Sequence, residues 1–228
     1  MGGPGAQTRR ASAPGDRYVV VRRRMVERLA QAGVKDRRVL AAFDSVPRHQ
    51  LLPTALAGQA YRDAALPIGG GQTISAPGVV AAMSAALELR GDETVLEVGT
   101  GSGYQAAILA RLAARVVSIE RLPRLAAEAR RTLDRLGVTN VVVYLGDGTR
   151  GRPGDAPFDA IVVTAGGPEV PRPLLEQLAV GGRLVGPFGE RDEQHLLRIR
   201  RSGADRYTRE LIGRARFVDL VGDHGWGR

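Results

Sequence analysis

The stretch Val95-Leu-Glu-Val-Gly-Thr-Gly-Ser-Gly-Tyr104 decides the architecture of this chain. A short apolar run ends in glycines at 99, 101 and 103, and apolar residues at helical spacing follow from Tyr104. Glycine permits a sharp turn and a close approach between backbone and ligand. Strand, tight turn and helix make the repeating unit of open α/β sheets, whose ligands bind outside the carboxyl ends of the strands.

Outward from there the alternation continues. Runs rich in β-branched residues at 94–98, 115–119, 140–145, 159–164 and 183–187 read as parallel strands buried on both faces. Helical patterns lie between them at 104–113, 123–136 and 170–179. The expected fold class is therefore α/β, a doubly wound, mostly parallel sheet. Two further strands, at 196–201 and 209–221, are expected across a Gly203-Ala-Asp205 turn. Upstream, helices at 22–32 and 36–46, parted by Gly33, form an N-terminal helical cap. A loop at 60–75 carries a glycine triplet, and a helix at 76–89 is expected to follow, with Ser75 as N-cap and Pro77 in its first turn. Residues 1–17, rich in Gly, Pro and Ser and without the apolar stretch of a signal peptide, read as a flexible tail. Residues 18–228 read as one domain: 18–89 its helical and loop part, 90–228 its sheet and C-terminal strands.

Composition removes several functional classes. The 228 residues include no cysteine, which excludes a disulfide scaffold, thiolate-bound metal and a thiol nucleophile. The formal charge is +9, and Lys35 is the single lysine among 33 basic residues. Basic chains can bind phosphates. These arginines are scattered, however, apart from Arg22-Arg23-Arg24, which reads as a solvated helix face, and aromatic residues make up only 4%. So few rings give bases little to stack on, and no nucleic-acid partner is expected. No apolar run approaches the ~18 residues of a membrane span, so no membrane partner is expected and the location expected is cytoplasmic. His49, His195 and His224 show no metal-ligand spacing, and no metal is expected.

Three strand ends carry acidic residues. Glu97 lies inside the first strand, Glu120 closes the second next to Arg121, and Asp147 follows the third in Gly146-Asp-Gly148. Dinucleotide folds use G-x-G-x-x-G to seat a pyrophosphate on a helix N-terminus; the spacing here is G-x-G-x-G. A carboxylate at Glu120 can accept from both hydroxyls of a ribose. Nicotinamide enzymes place an acid similarly, so Glu120 alone does not discriminate and could be a solvated strand-end charge. Asp-Gly is also ordinary turn chemistry, and Ser75 an ordinary helix cap.

The G-x-G-x-G spacing resembles motif I of class I S-adenosylmethionine-dependent methyltransferases, which are Rossmann-like. Further strings carry a narrower resemblance: Tyr61-Arg-Asp63, Leu66-Pro-Ile-Gly69, Gly71-Gln-Thr-Ile-Ser-Ala-Pro77, Pro157-Phe-Asp-Ala-Ile161, Gly181-Gly-Arg-Leu-Val185, Arg216-Phe-Val218 and Gly222-Asp-His-Gly-Trp226. Together with the strand ends they resemble the protein-L-isoaspartate (D-aspartate) O-methyltransferase family over about residues 18–226. The resemblance implies methyl transfer from S-adenosyl-L-methionine to the free α-carboxylate of L-isoaspartyl residues in damaged proteins and peptides, an early step in their repair. It implies cofactor contacts from Gln72, Thr73, Ile74, Ser75, Glu97, Gly99, Gly101, Gly103, Glu120, Arg121, Asp147 and Gly148. In that reading Glu120 takes the ribose, Asp147 accepts from the adenine amino group, and Ser75 lies at the catalytic centre. Asp63 is expected to fix the loop, Trp226 to anchor the C-terminus, and the enzyme to act as a monomer. Asp219 stands where relatives commonly have Pro, which places a charge near the peptide groove, and Leu52 replaces a common Phe. Two rivals stay open: a methyltransferase of the same fold acting on another peptide carboxylate or on RNA, and a basic binding protein without turnover.

Overall fold

The structure, a computed structural model, describes residues 14–227. It contains six α-helices among these residues: α1 (Pro14–Gln31), α2 (Arg37–Ser45), α3 (Pro77–Ala86), α4 (Tyr104–Leu109), α5 (Pro123–Arg135) and α6 (Arg172–Glu176). The strands are β1 (Leu66–Gly69), β2 (Gln72–Ile74), β3 (Thr94–Val98), β4 (Arg115–Glu120), β5 (Val141–Leu145), β6 (Phe158–Val163), β7 (Leu178–Gly189), β8 (Gln194–Gly203) and β9 (Arg206–Ala215).

Seven strands form one sheet in the order β5-β4-β3-β6-β7-β8-β9. The first five are parallel, and β8 and β9 add antiparallel to β7. The doubly wound, mostly parallel architecture therefore stands. β3 is the middle strand of the five parallel ones, with Val95, Leu96 and Glu97 all 0% exposed. Alternate residues of a strand point to opposite faces, and two cores result. Val95, Val116 and Val185 pack beneath α1 to α5, while Leu96, Val117 and Leu184 pack with Leu174 of α6 and with Leu220. The chain leaves β3 toward β4 and β5, then returns to β6 on the other side. The carboxyl ends of β3 and β6 thus flank the point where the winding reverses, where such sheets hold ligands.

Several expectations are corrected. The expected tail at 1–17 overlaps α1, which begins at Pro14, a residue tolerated in a helix's first turn; residues 1–13 lie outside the described residues. The expected loop at 60–75 contains an antiparallel hairpin, β1 against β2, with Leu66 opposite Ile74. The helix expected at 76–89 stops at Ala86, and its N-cap is Ala76 with no side-chain cap bond, so Ser75 is not the cap. The helix expected at 170–179 shrinks to α6, because Gln177 O and Leu178 are engaged by Phe158 in the sheet. Sheet pairing there overrides helical spacing. The last strand ends at Ala215 rather than 221, and the remaining segment crosses the sheet's end instead. Gly166 N donates to Val218 O (2.8 Å), and Leu220 N donates to Gly166 O (2.7 Å).

Candidate active site

Two adjoining concavities open at the carboxyl ends of β3, β4 and β6. The inner one encloses about 570 Å³ of empty space, partly open to solvent. Gln72, Thr73, Ile74 and Ser75 form one wall, Gly99 to Ser102 the floor, and Glu120, Thr164 and Ala165 the far side. Phe217 and Val218 close it from the C-terminal segment. The neighbouring concavity, about 370 Å³, shares Gln72, Gly99, Glu120 and Ala165 and adds Arg121, Gly148, Leu220 and Val221. One continuous trough therefore runs from the hairpin, across the β3 turn, to the end of β5.

The turn after β3 is held from several sides. Gly99 N donates to Ile119 O (2.8 Å), and the Thr164 hydroxyl donates to Val98 O (2.9 Å) and Gly99 O (2.6 Å). Gly99 has φ +98°, and a Cβ there would lie 2.4 Å from Thr164 Oγ1. Glu120, only 6% exposed, accepts from Gly101 N through Oε2 (2.9 Å) and from Leu122 N through Oε1 (2.9 Å). A carboxylate has about four acceptor positions, so each oxygen keeps one for a ligand. Gly148 packs for a different reason: a Cβ would meet Val98 Cγ1 at 2.6 Å.

Glu97 and Gly103 sit behind the trough rather than on its lining. Gly103 starts α4 and lies against Ala129 and Leu133 of α5. Glu97 accepts a short hydrogen bond from the Ser118 hydroxyl, which is itself 2.5 Å from Thr100 Oγ1. Its Oε1 is buried without a hydrogen-bond partner. Complete burial pushes its carboxyl up to about 8, with the charge of Glu120 adding to the rise and the Ser118 hydroxyl and Ala106 amide opposing it.

Asp147 lines a third, outer concavity with Arg121, Gly146 and Trp226. Its Oδ1 accepts from Thr149 N (2.9 Å) and Thr149 Oγ1 (2.7 Å), and its Oδ2 from Asp223 N (2.8 Å). Partial burial raises its pKa, but the amide of Asp223, the two Thr149 donors and Arg150 together hold it below the usual carboxylate value. Asp147 thus ties the C-terminal segment to the end of β5. The same segment is fixed at Trp226, whose indole N–H donates to Gly166 O (2.9 Å) beneath the Arg191 guanidinium. Arg191 also pairs with Asp219 (3.2 Å), so that charge is matched at the rim and faces the outer half of the trough.

The cap expected of Ser75 is supplied by Asp63. Its Oδ1 accepts from Gly78 N (2.7 Å) in the first turn of α3. Asp63 therefore fixes the loop, as expected, and Ser75, which lines the inner concavity, is left without a capping role. Asp63→Ala is expected to lower stability by about 1 kcal/mol in urea unfolding, whereas Ser75→Ala leaves the midpoint unchanged; the opposite ranking would return the cap to Ser75.

Thr164, Tyr104 and Arg48 were missed as contributors to the site. Thr164 directly follows β6, so the strand-end rule that selected Glu120 could have found it. Tyr104 opens α4 and lines the inner concavity, while Arg48 is fully buried, a fate that sequence gives no reason to expect of arginine.

The residues fit a phosphate-free nucleoside such as S-adenosylmethionine. The glycine turn presents backbone where a Cβ has no room, and Glu120 keeps free acceptor positions beside it. Comparison with known proteins bears on the same point. The family model for protein-L-isoaspartate(D-aspartate) O-methyltransferase matches residues 21–225. The protein-L-isoaspartate O-methyltransferase of Geobacter metallireducens is 56% identical over 211 residues, 92% of this chain and 98% of the relative. Protein-L-isoaspartate O-methyltransferase 1 of Syntrophobacter fumaroxidans is 56% identical over 206 residues, 90% and 96% of the two chains. A solved protein-L-isoaspartate O-methyltransferase superposes with a TM-score of 0.77 at 30% identity, covering 90% of this chain and 67% of that one. A Plasmodium falciparum structure with S-adenosyl-L-homocysteine shares the fold, with a TM-score of 0.76, 24% identity and coverage of 88% and 98%. With nearly its whole described length matched at this level, the chain belongs to the protein-L-isoaspartate (D-aspartate) O-methyltransferase family.

Proposed function

We propose that this chain transfers a methyl group from S-adenosyl-L-methionine to the free α-carboxylate of L-isoaspartyl residues, which commits damaged proteins to repair. One observation carries the reading: the hairpin residues Gln72 to Ser75 and the glycine turn with Glu120 share one trough, and the Ser75 hydroxyl there is not used as a helix cap. When bound, S-adenosylmethionine supplies a methyl group on a cationic sulfur, already activated for displacement.

The chain's own residues then have little chemistry to perform. The acceptor, with a carboxylic pKa near 4, is an anion at neutral pH, so no general base is required. Transfer would join a carboxylate oxygen to the methyl carbon and leave the bond pair on the donor's sulfur, so the chain's own residues have no proton to move. Gly99 and Gly101 let the methionine end lie against the backbone, Glu120 accepts from the ribose, and Arg121 and Gly148 border the base. The tie between Asp147 and Asp223 keeps the C-terminal segment closed over that end. Ser75 donates a hydrogen bond to the acceptor without deprotonating it. What remains is in-line positioning and exclusion of water.

Residues 18–228 act as one domain in this reading, supported by the core that α1 to α3 share with Val95 and Val116 of the sheet. It further takes the enzyme to be a cytoplasmic monomer that binds neither membrane nor nucleic acid. Many arginines are matched by carboxylates within the chain, as in Arg115–Asp155, Arg150–Asp223 and Arg198–Glu210. Labelled-methyl transfer to matched isoaspartyl and aspartyl peptides tests the reading. A base-labile ester on the isoaspartyl peptide alone is expected; label on RNA or on the aspartyl peptide instead would replace it with the rival acceptor, and cofactor binding without transfer with a binding protein. Ser75→Ala is expected to lower kcat/KM about tenfold, the loss of one hydrogen bond to a charged group, with unchanged thermal unfolding. Wild-type kinetics would remove Ser75 from the centre.

A further inference from the structure

Arg48 lies in a short 3-10 turn after α2 and is 0% exposed. Its Nε donates to Ala60 O (2.6 Å), its Nη1 to Ser75 O (2.8 Å) and its Nη2 to Ala64 O (3.2 Å). The guanidinium carbon stands 4.8 Å from the ring centroid of Tyr104, which lines the same concavity as Ser75. Among the described residues no carboxylate is within ion-pair distance of it; its hydrogen-bond acceptors are all uncharged. Burial lowers its pKa, while Tyr104, Asp63 and Tyr61 pull it back up, and an arginine keeps its proton regardless.

A buried cation is costly when the carboxylate that acts on it, Asp63, stands beyond ion-pair distance. Three carbonyls could be satisfied by neutral amide donors, so tying the loop together does not by itself explain a charge. The reaction proposed above brings an anion to this corner of the trough. We propose that Arg48 is the positioning residue of the acceptor end: it fixes the Ser75 main chain to the 60–64 loop and supplies, from behind, the positive charge that draws the acceptor carboxylate in.

This assignment rests on the methyl-transfer reading, and it has a kinetic signature of its own. The carboxylate loses its charge as the methyl group arrives. Attraction to Arg48 is therefore stronger in the bound reactant than in the transition state, and its loss is felt in KM rather than in kcat. A merely structural arginine would lower the active fraction, and so kcat, at unchanged KM.

The test compares wild type, Arg48→Gln, which keeps donors for the carbonyls, and Arg48→Lys, which keeps the charge. Arg48→Gln is expected to raise KM for an isoaspartyl peptide at least tenfold, with kcat within about fivefold and S-adenosyl-L-homocysteine affinity within threefold. Arg48→Lys is expected to bring KM back within threefold of wild type. Equal KM values in the two variants, or a wild-type KM in Arg48→Gln, overturn the assignment. If the glutamine variant does not fold, wild-type protein carries the test. A peptide amidated at the isoaspartyl α-carboxylate should compete at least tenfold more weakly than the free acid, and equal competition overturns the proposal. Failure of wild type to methylate any isoaspartyl peptide would instead sink the functional reading, which separates the two failures.

Discussion

Gly99→Ala should bind S-adenosyl-L-homocysteine about a hundredfold more weakly than wild type, a difference of about 3 kcal/mol. Two costs combine. The residue has φ +98°, in a region where an L side chain costs roughly 1–2 kcal/mol. The added methyl would also lie 2.4 Å from Thr164 Oγ1. Thr164 has no easy retreat, because its hydroxyl is bonded to Val98 O and Gly99 O and its amide donates to Val98 O (2.9 Å). The turn must therefore shift into the trough. Calorimetry measures the loss, and a double variant identifies its origin. Gly99→Ala with Thr164→Ala removes the collision and keeps the strained φ, so part of the affinity should return. An affinity in the single variant equal to wild type would mean that the ligand does not lie against this turn.

Glycines with a strand before them and a helix after them are legible without a structure, because each neighbour has its own period and only one geometry joins them. β3 matches its expected bounds, 94–98, residue for residue, since a central parallel strand must be apolar on both faces. The hairpin β1–β2 was not legible. Strands of four and three residues are too short to show alternation, and the glycines between them read as loop. The bound of β9 failed for a related reason. Residues 216–221 keep an apolar texture because Phe217 and Leu220 pack against the two cores, although they no longer pair with β8.

Roles were harder to read than places. The family resemblance placed Gln72 to Ser75, Gly99, Gly101 and Glu120 at one site, and the trough gathers all of them. Sequence could not show that Asp63, fifteen residues away, would cap α3 and leave the Ser75 hydroxyl free, nor that the Asp147 carboxylate would accept from Thr149 and Asp223. The bonds from Gly78 to Asp63 and from Asp223 to Asp147 join segments far apart in the chain, and no local pattern encodes them, whereas the Thr149 contact is the local turn that Asp-Gly suggests. If Asp147 acts through the C-terminal segment, Asp223 becomes part of the same device. It contributes its main-chain amide to Asp147 and its carboxylate to Arg150.

Glu97 shows how a residue in the right motif can act from behind the site, and its pH dependence can be checked directly. The unfolded carboxyl titrates near 4.5 and the folded one near 8, so the native state binds the proton more tightly than the unfolded chain. The sign follows from linkage. This group's contribution to stability is fully present below about pH 4.5 and is lost as pH rises through about 8, at up to about 1.4 kcal/mol per pH unit. In Glu97→Gln the side chain keeps its shape and an acceptor for the Ser118 hydroxyl but never ionises. Urea unfolding should then give similar stabilities for the two proteins at pH 5, with wild type falling behind by roughly 4 kcal/mol by pH 9. Parallel curves for the two proteins would mean that Glu97 is ionised even when buried. A neutral Glu97 also has a purpose beside Glu120: two ionised carboxylates under one glycine turn would repel each other.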